Sequence, residues 1–222
     1  MAGMTADTFI ETKRQLIRKM VRGVVAIADT TADAITQLTD DSDKGLMALP
    51  DGYEKLGYLT DDGAQFARNV DTSDITSWGE TEPTRSDVTS DQTTLQVACQ
   101  ETKKATIGLY TGADMTASTP AANGELRIEK PALPDAKYYR VLTVGIDKYQ
   151  GQDIYIARFM PNGKVTDYDD MNFQSSDDSA LSWSVTFSSF VDSALGYSEA
   201  YMFGGPGWYT LLSDMGMSAA AS

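Results

Sequence analysis

The sequence has no histidine, a single cysteine, and 18 lysines and arginines against 32 aspartates and glutamates. The missing histidine removes the commonest general base, the commonest metal ligand and the side chain that titrates near neutral pH. Nucleophilic triads fail at the base, since no imidazole can take a proton from a serine or from Cys99. A lone cysteine makes no internal disulfide, so the chain is not a stapled secreted scaffold. No N-x-Ser/Thr site occurs, and neither G-x-x-x-x-G-K-[ST] nor G-x-G-x-x-G is there to cradle a phosphate. These absences argue against most hydrolases and zinc enzymes.

Long apolar runs are also missing. The stretch Val21–Ala28 is far below the ~20 residues that cross a bilayer. Its basic lead-in superficially suggests a secretory signal, but Arg22 and Gly23 interrupt the run and Asp29 ends it, so a cytosolic protein is expected.

What is present is an acidic, foldable chain of 222 residues, 41% hydrophobic, with formal net charge −14. The length suits one sizeable core or two small ones. Charge is uneven: residues 1–22 carry 5 − 2 = +3, leaving 13 − 30 = −17 for the other 200. Such a body repels phosphate backbones, which excludes ordinary duplex binding through lysine and arginine contacts.

Phe9, Lys13, Leu16, Ile17, Met20, Val21 and Val24 recur at spacings of three and four, which predicts a helix over 8–24. This basic stripe packs either on its own domain or on a neighbouring molecule. From residue 53 the period becomes two. Residues 53–60 and 64–70 read as a hairpin turning at Asp61-Asp62-Gly63, with further strands at 94–100, 125–130, 138–147, 153–160 and 181–191. Pro161-Asn162-Gly163 reads as a tight turn, and Gly204-Gly205-Pro206-Gly207 as a second breaker that opens no helix. Residues 101–110 fit a helix ended by Gly112 or a strand through Ala105, Ile107 and Leu109. The polar stretch 71–91 exceeds the usual ~4–6-residue connection, and its Trp78 points to a functional loop, since exposed loop aromatics become buried at interfaces.

Candidate chemistry is thin. Residues 40–51 place acids at the first and twelfth positions of a calcium loop and Gly45 at the sixth. Lys44, however, occupies a ligand position, so a solvated acidic turn is expected. Asp167, Asp169 and Asp170 read as an exposed run.

Several short segments gain meaning from their order. Leu49-Pro50-Asp51-Gly52-Tyr53, Gly57-Tyr58-Leu59-Thr60-Asp61-Asp62-Gly63, Asp74-Ile75-Thr76-Ser77-Trp78-Gly79, Glu82-Pro83-Thr84-Arg85 and Gln100-Glu101-Thr102-Lys103-Lys104 follow one another. This succession resembles the major tail tube proteins of long-tailed, non-contractile phages (siphoviruses) of actinobacteria, most densely over residues 45–114.

The resemblance implies a mainly β, sandwich or barrel-like domain over 46–205 with one flanking helix at 101–111. It also implies a helical N-terminal arm and entry segment over 1–45 and a C-terminal arm over 206–222. It implies a structural virion protein, not an enzyme, made in the host cytoplasm and built into hexameric rings that stack into a tube for genome ejection. No cofactor is implied. Its partners are other copies of itself and a tape-measure protein in the lumen, while DNA passes without specific binding. The 71–91 stretch then corresponds to the loop that meets the next ring, with Asp74, Trp78, Glu82, Pro83, Arg85 and Asp87 as contact candidates. Phe9, Leu16, Ile17, Arg18, Lys19 and Met20 become candidates for arm contacts between subunits. The rival readings are a carboxylate-based carbohydrate hydrolase and a monomeric binding or virion decoration module.

Overall fold

The computed structural model describes residues 10, 12–116, 118–130, 132, 137–175 and 180–219. Phe9 and the start of the predicted N-terminal helix lie outside them. The described strands are β1 (Arg22–Asp29), β2 (Glu54–Lys55), β3 (Leu59–Thr76), β4 (Pro83–Cys99), β5 (Tyr138–Tyr149), β6 (Gln152–Tyr168), β7 (Trp183–Ser189) and β8 (Ala200–Gly204). They form one antiparallel sheet in the order β2-β1-β5-β6-β7-β4-β3, with β8 paired to β6. Two helices, α1 (Lys104–Thr111) and α2 (Pro206–Leu211), accompany it, so the fold is mainly β as the sequence implies.

The two ends of the sheet order, β2 and β3, are consecutive in the chain, separated only by Leu56, Gly57 and Tyr58. So short a link forces the sheet to curl until its ends meet. Leu56 N–H donates to Val25 O at 2.8 Å and Gln100 N–H to Tyr58 O at 2.9 Å, carrying the pairing across the seam. Inside the curl, Val25, Ile27, Leu95, Val97, Cys99, Val141, Met160, Val185 and Phe187 form one core with Leu109 of α1. On the outer face, Leu142, Val144, Ala157 and Phe159 are covered by Ile35 and Leu38 from the connection after β1. Strand β5 is thus apolar on both faces, Val141 inward and Leu142 outward, which is why it reads as a nearly continuous hydrophobic run.

Gly57 sits at the seam with φ +86°, a conformation that costs an L-residue about 1–2 kcal/mol. A Cβ there would collide with the Glu101 carboxylate, whose Oε1 accepts Tyr58 N–H at 2.8 Å. Gly57→Ala is therefore expected to lower stability by about 1–2 kcal/mol or more, read as a lower urea midpoint at unchanged m-value.

The structure resolves the 101–110 ambiguity in favour of a helix: α1 ends at Gly112, whose φ of +66° allows its N–H to reach Gly108 O. Other expectations are corrected. Residues 14–16 form one 3-10 turn and the chain then runs extended into β1, so the predicted helix over 8–24 is absent from its described part. Val21, Val24, Val25 and Ile27 are β-branched, and ladder pairing with β5 outweighs the propensity of a short amphipathic helix. Residues 22–29, assigned to the arm, are thus a strand of the curled sheet.

Asp61-Asp62-Gly63 is a bulge, not a turn. Strand β3 runs through it while its register on β4 jumps between Leu59 and Ala64. Pro161-Asn162-Gly163 lies within β6, opposite the register shift between Tyr139 and Val141, where a residue without an N–H breaks no ladder bond. Of the strand expected over 53–60, only Glu54–Lys55 and the start of β3 form. Residues 125–130 form no strand, their local turn closing through Ala121 N–H to Glu125 O. The breaker at 204–207 does end β8, but Pro206 then opens α2 at a first helical position that suits its fixed φ and missing N–H. Residues 206–211, assigned to a C-terminal arm, therefore pack on the body, with Leu211 buried.

Candidate functional site

Strands β3 and β4 continue far beyond the body. From Ala67 to Asp91 every residue is exposed, whereas Leu95, Val97 and Cys99 further along β4 are buried. The stretch 71–91 is thus a two-stranded ribbon, not an irregular loop, closed by a turn in which Glu80 N–H donates to Ser77 O and Gly79 takes φ +90°. At about 3.4 Å per residue, the arm from Arg68 to Thr76 is roughly 30 Å long.

Two bulges shape it. The register jumps between Asp71 and Thr72 and between Ile75 and Thr76, leaving Thr89 and Thr84 as the extra residues on β4. Each threonine hydroxyl donates to a facing carbonyl, Thr89 to Asp71 O at 3.1 Å and Thr84 to Ile75 O at 3.0 Å. The bulges therefore leave these carbonyls satisfied while twisting the ribbon.

Residues 71–91 hold six acids and one arginine, 1 − 6 = −5. Arg85 pairs with Asp87 at 2.7 Å and Arg68 with Asp91 at 2.5 Å. The Arg68 guanidinium beside it holds the Asp91 carboxyl below the usual carboxylate range. Both pairs are exposed to water and add little stability. The apolar members Val70, Ile75 and Val88 are exposed as well, and Trp78 at the tip is wholly so, at 105%. An exposed patch on a built, hydrogen-bonded arm is what a contact surface needs.

All six contact candidates lie on this ribbon: Asp74 opposite Ser86, Arg85 opposite Ile75, Asp87 opposite Ser73, Pro83 opposite Thr76, and Trp78 and Glu82 in the closing turn. Of the N-terminal candidates, Arg18, Lys19 and Met20 lie elsewhere, against the chain's own β5. Arg18 Nη1 meets Asp147 Oδ2 at 3.3 Å, which also accepts Lys19 N–H, and Val21 N–H donates to Ile146 O. The Met20 side chain occupies the space where a Cβ on Gly145 would stand. Leu16 is half-buried, while Ile17, Lys19 and Met20 remain exposed.

The remaining features lack reactive geometry. Cys99 is buried in the inner core, and burial pushes its thiol up to about 11. A cleft of about 270 Å³ opens between α1 and the ends of β1 and β5. Its Asp29 and Asp114 carboxylates accept from Thr31 and Thr116, forming turns in place of a convergent acid-base pair.

A family model of phage tail tube proteins matches residues 13–197, a span holding β1 to β7, α1 and the whole ribbon. The chain belongs to the phage tail tube protein family. No curated protein matches it at a significant level. Membership makes the chain a structural, non-enzymatic component of the phage tail that assembles with itself into a tube. Among the described residues no helix is long and apolar enough to cross a membrane.

In this tail tube protein the stretch 71–91 is a ribbon in place of the expected loop, because its polar residues on both faces hide the strand period. A second group escaped notice: Arg158 in β6 contacts Glu199, Tyr201 and Phe66. Its signal was a charge inside the apolar run Ile154-Tyr155-Ile156-Ala157-Arg158-Phe159-Met160.

Proposed function

We propose that this chain forms hexameric rings that stack into the tail tube of a siphovirus of actinobacteria, the conduit for DNA ejection. The observation that carries the reading is the exposed β3–β4 ribbon with Trp78 at its tip, an element that buries nothing within its own subunit. In the tube it meets the next ring. The segment around Ile17, Lys19 and Met20 meets a neighbour in the same ring through the faces it leaves exposed.

Unpaired strand edges support assembly. Among the described strands the outer ribbon of β3 pairs only with β4, and β8 only with β6. A free edge is a template for another chain, and ring closure covers it. The net charge of −14 keeps a polyanion from adsorbing to the lumen, which DNA and, during assembly, a tape-measure protein would occupy. Electron microscopy of the purified protein tests the proposal: rings or tubes are expected, while monodisperse monomers would favour a decoration module.

Assembly should also respond to salt. A hexamer gathers 6 × (−14) = −84 formal charges, which repel within a Debye length of ~10 Å at 0.1 M. Moderate NaCl is therefore expected to speed tube growth followed by light scattering. A steady slowing instead would mean that specific ion pairs control association.

A further inference from the structure

Every residue of the ribbon from Ala67 to Asp91 is exposed, so its direction must be set at its root. A two-stranded ribbon alone is marginal and twists readily. Its β4 half loses its other neighbour early: pairing with β7 stops at Thr94, opposite Ser188. Strand β7 itself ends at Ser189, level with Gly163 of β6. Below that level β8 takes the place beside β6, over Tyr155 to Phe159, and it pairs with no second strand among those described. A seam therefore opens between the β6–β8 ladder and the base of the ribbon.

Arg158 fills that seam. Its guanidinium carbon lies 3.8 Å from the centroid of the Phe66 ring on β3 and 4.7 Å from that of Tyr201 on β8. Nε donates to Glu199 Oε1 at 2.5 Å, and Nη2 donates to the Tyr201 hydroxyl at 2.8 Å. The second oxygen of Glu199 accepts from Thr93 Oγ1 on β4 at 3.0 Å. One planar cation is thus stacked against β3 and β8, and through Glu199 it is tied to β4. Both charged side chains are largely buried, 18% exposed for Arg158 and 7% for Glu199. Buried pairs contribute little net stability against apolar replacements, and their best-attested use is to select one arrangement among several.

We propose that Arg158 is a positioning residue that clamps the root of the β3–β4 ribbon to the β6–β8 ladder and so sets the angle at which Trp78 is presented to a second copy of this chain. The clamp is a property of the single subunit, and its value for assembly rests on the proposed ring-to-ring role of the ribbon.

The test uses the full chain with spin labels at Thr81→Cys on the tip and Lys55→Cys on the body, Cys99 being buried and left in place. Arg158→Met combined with Glu199→Gln removes both charges together and strands neither. In that folded variant the inter-label distance distribution is expected to widen at least two-fold, with the cooperative melt retained, and tube growth to slow. An unchanged width overturns the clamp whatever the tubes do. A widened distribution with normal tube growth keeps the clamp and overturns the ribbon's part in stacking. Should the double variant not fold, Arg158→Lys decides on the same readout, since an ammonium keeps the charge but has no plane to stack between two rings.

Discussion

Trp78→Ala should leave the subunit as stable as the parent and slow or abolish its growth into tubes. The indole is wholly exposed at the end of a ribbon that touches no core, so truncation removes no buried area from the folded subunit. Surface changes of this kind stay within about 0.5 kcal/mol of stability. In an interface the same residue is the type that dominates binding, where truncation of a central tryptophan costs about 2 kcal/mol or more. That corresponds to roughly a thirty-fold weaker contact, repeated at every subunit of every ring. The critical concentration for tube growth, measured beside a thermal melt, separates the two effects. A variant that melts normally and polymerises at the parental concentration would show that the tip carries no contact.

Phe187→Ala should do the reverse, failing as a subunit before assembly becomes relevant. Phe187 is completely buried in the inner core, and its ring meets Tyr139 edge-on with centroids 6.3 Å apart. It lies on β7, which joins β6 to β4 and so holds the two halves of the curled sheet together. Phenylalanine-to-alanine changes at such sites cost about 3–5 kcal/mol, a large share of the 5–15 kcal/mol that a domain has in total. Equilibrium urea unfolding should show that loss as a fall in the midpoint equal to it divided by the m-value. A loss below about 1 kcal/mol would mean that the core collapses around the gap, against the tight packing read here.

Much of this protein was legible from residues alone, and the legible part is where the signal is local. Alternation in β7, with Val185 and Phe187 inward, and the nearly continuous apolar run of β5 identify a mainly β body because side-chain period follows directly from strand geometry. The absence of histidine limits chemistry before any folding is considered. The order of short motifs between residues 45 and 114 pointed to the family that the match over residues 13–197 then established.

The tertiary structure decided what depends on partners distant in sequence. Arg22–Asp29 is a strand because β5, more than a hundred residues away, offers it a ladder, although its own lead-in has helical spacing. Pro161 and Gly63 sit in strands because each lies in a bulge of its own strand, and no local rule shows which strand faces them. The 71–91 ribbon reads as a loop because, exposed on both faces, it has no buried side to impose alternation. Arg158 and Glu199 are 41 positions apart, and Arg158 meets Phe66 only when the sheet curls. Composition and period thus determined the kind of fold and the order of short motifs pointed to the family, while closure of the sheet determined which residues face one another at the base of the arm, since strand pairing is non-local and sequence period is not.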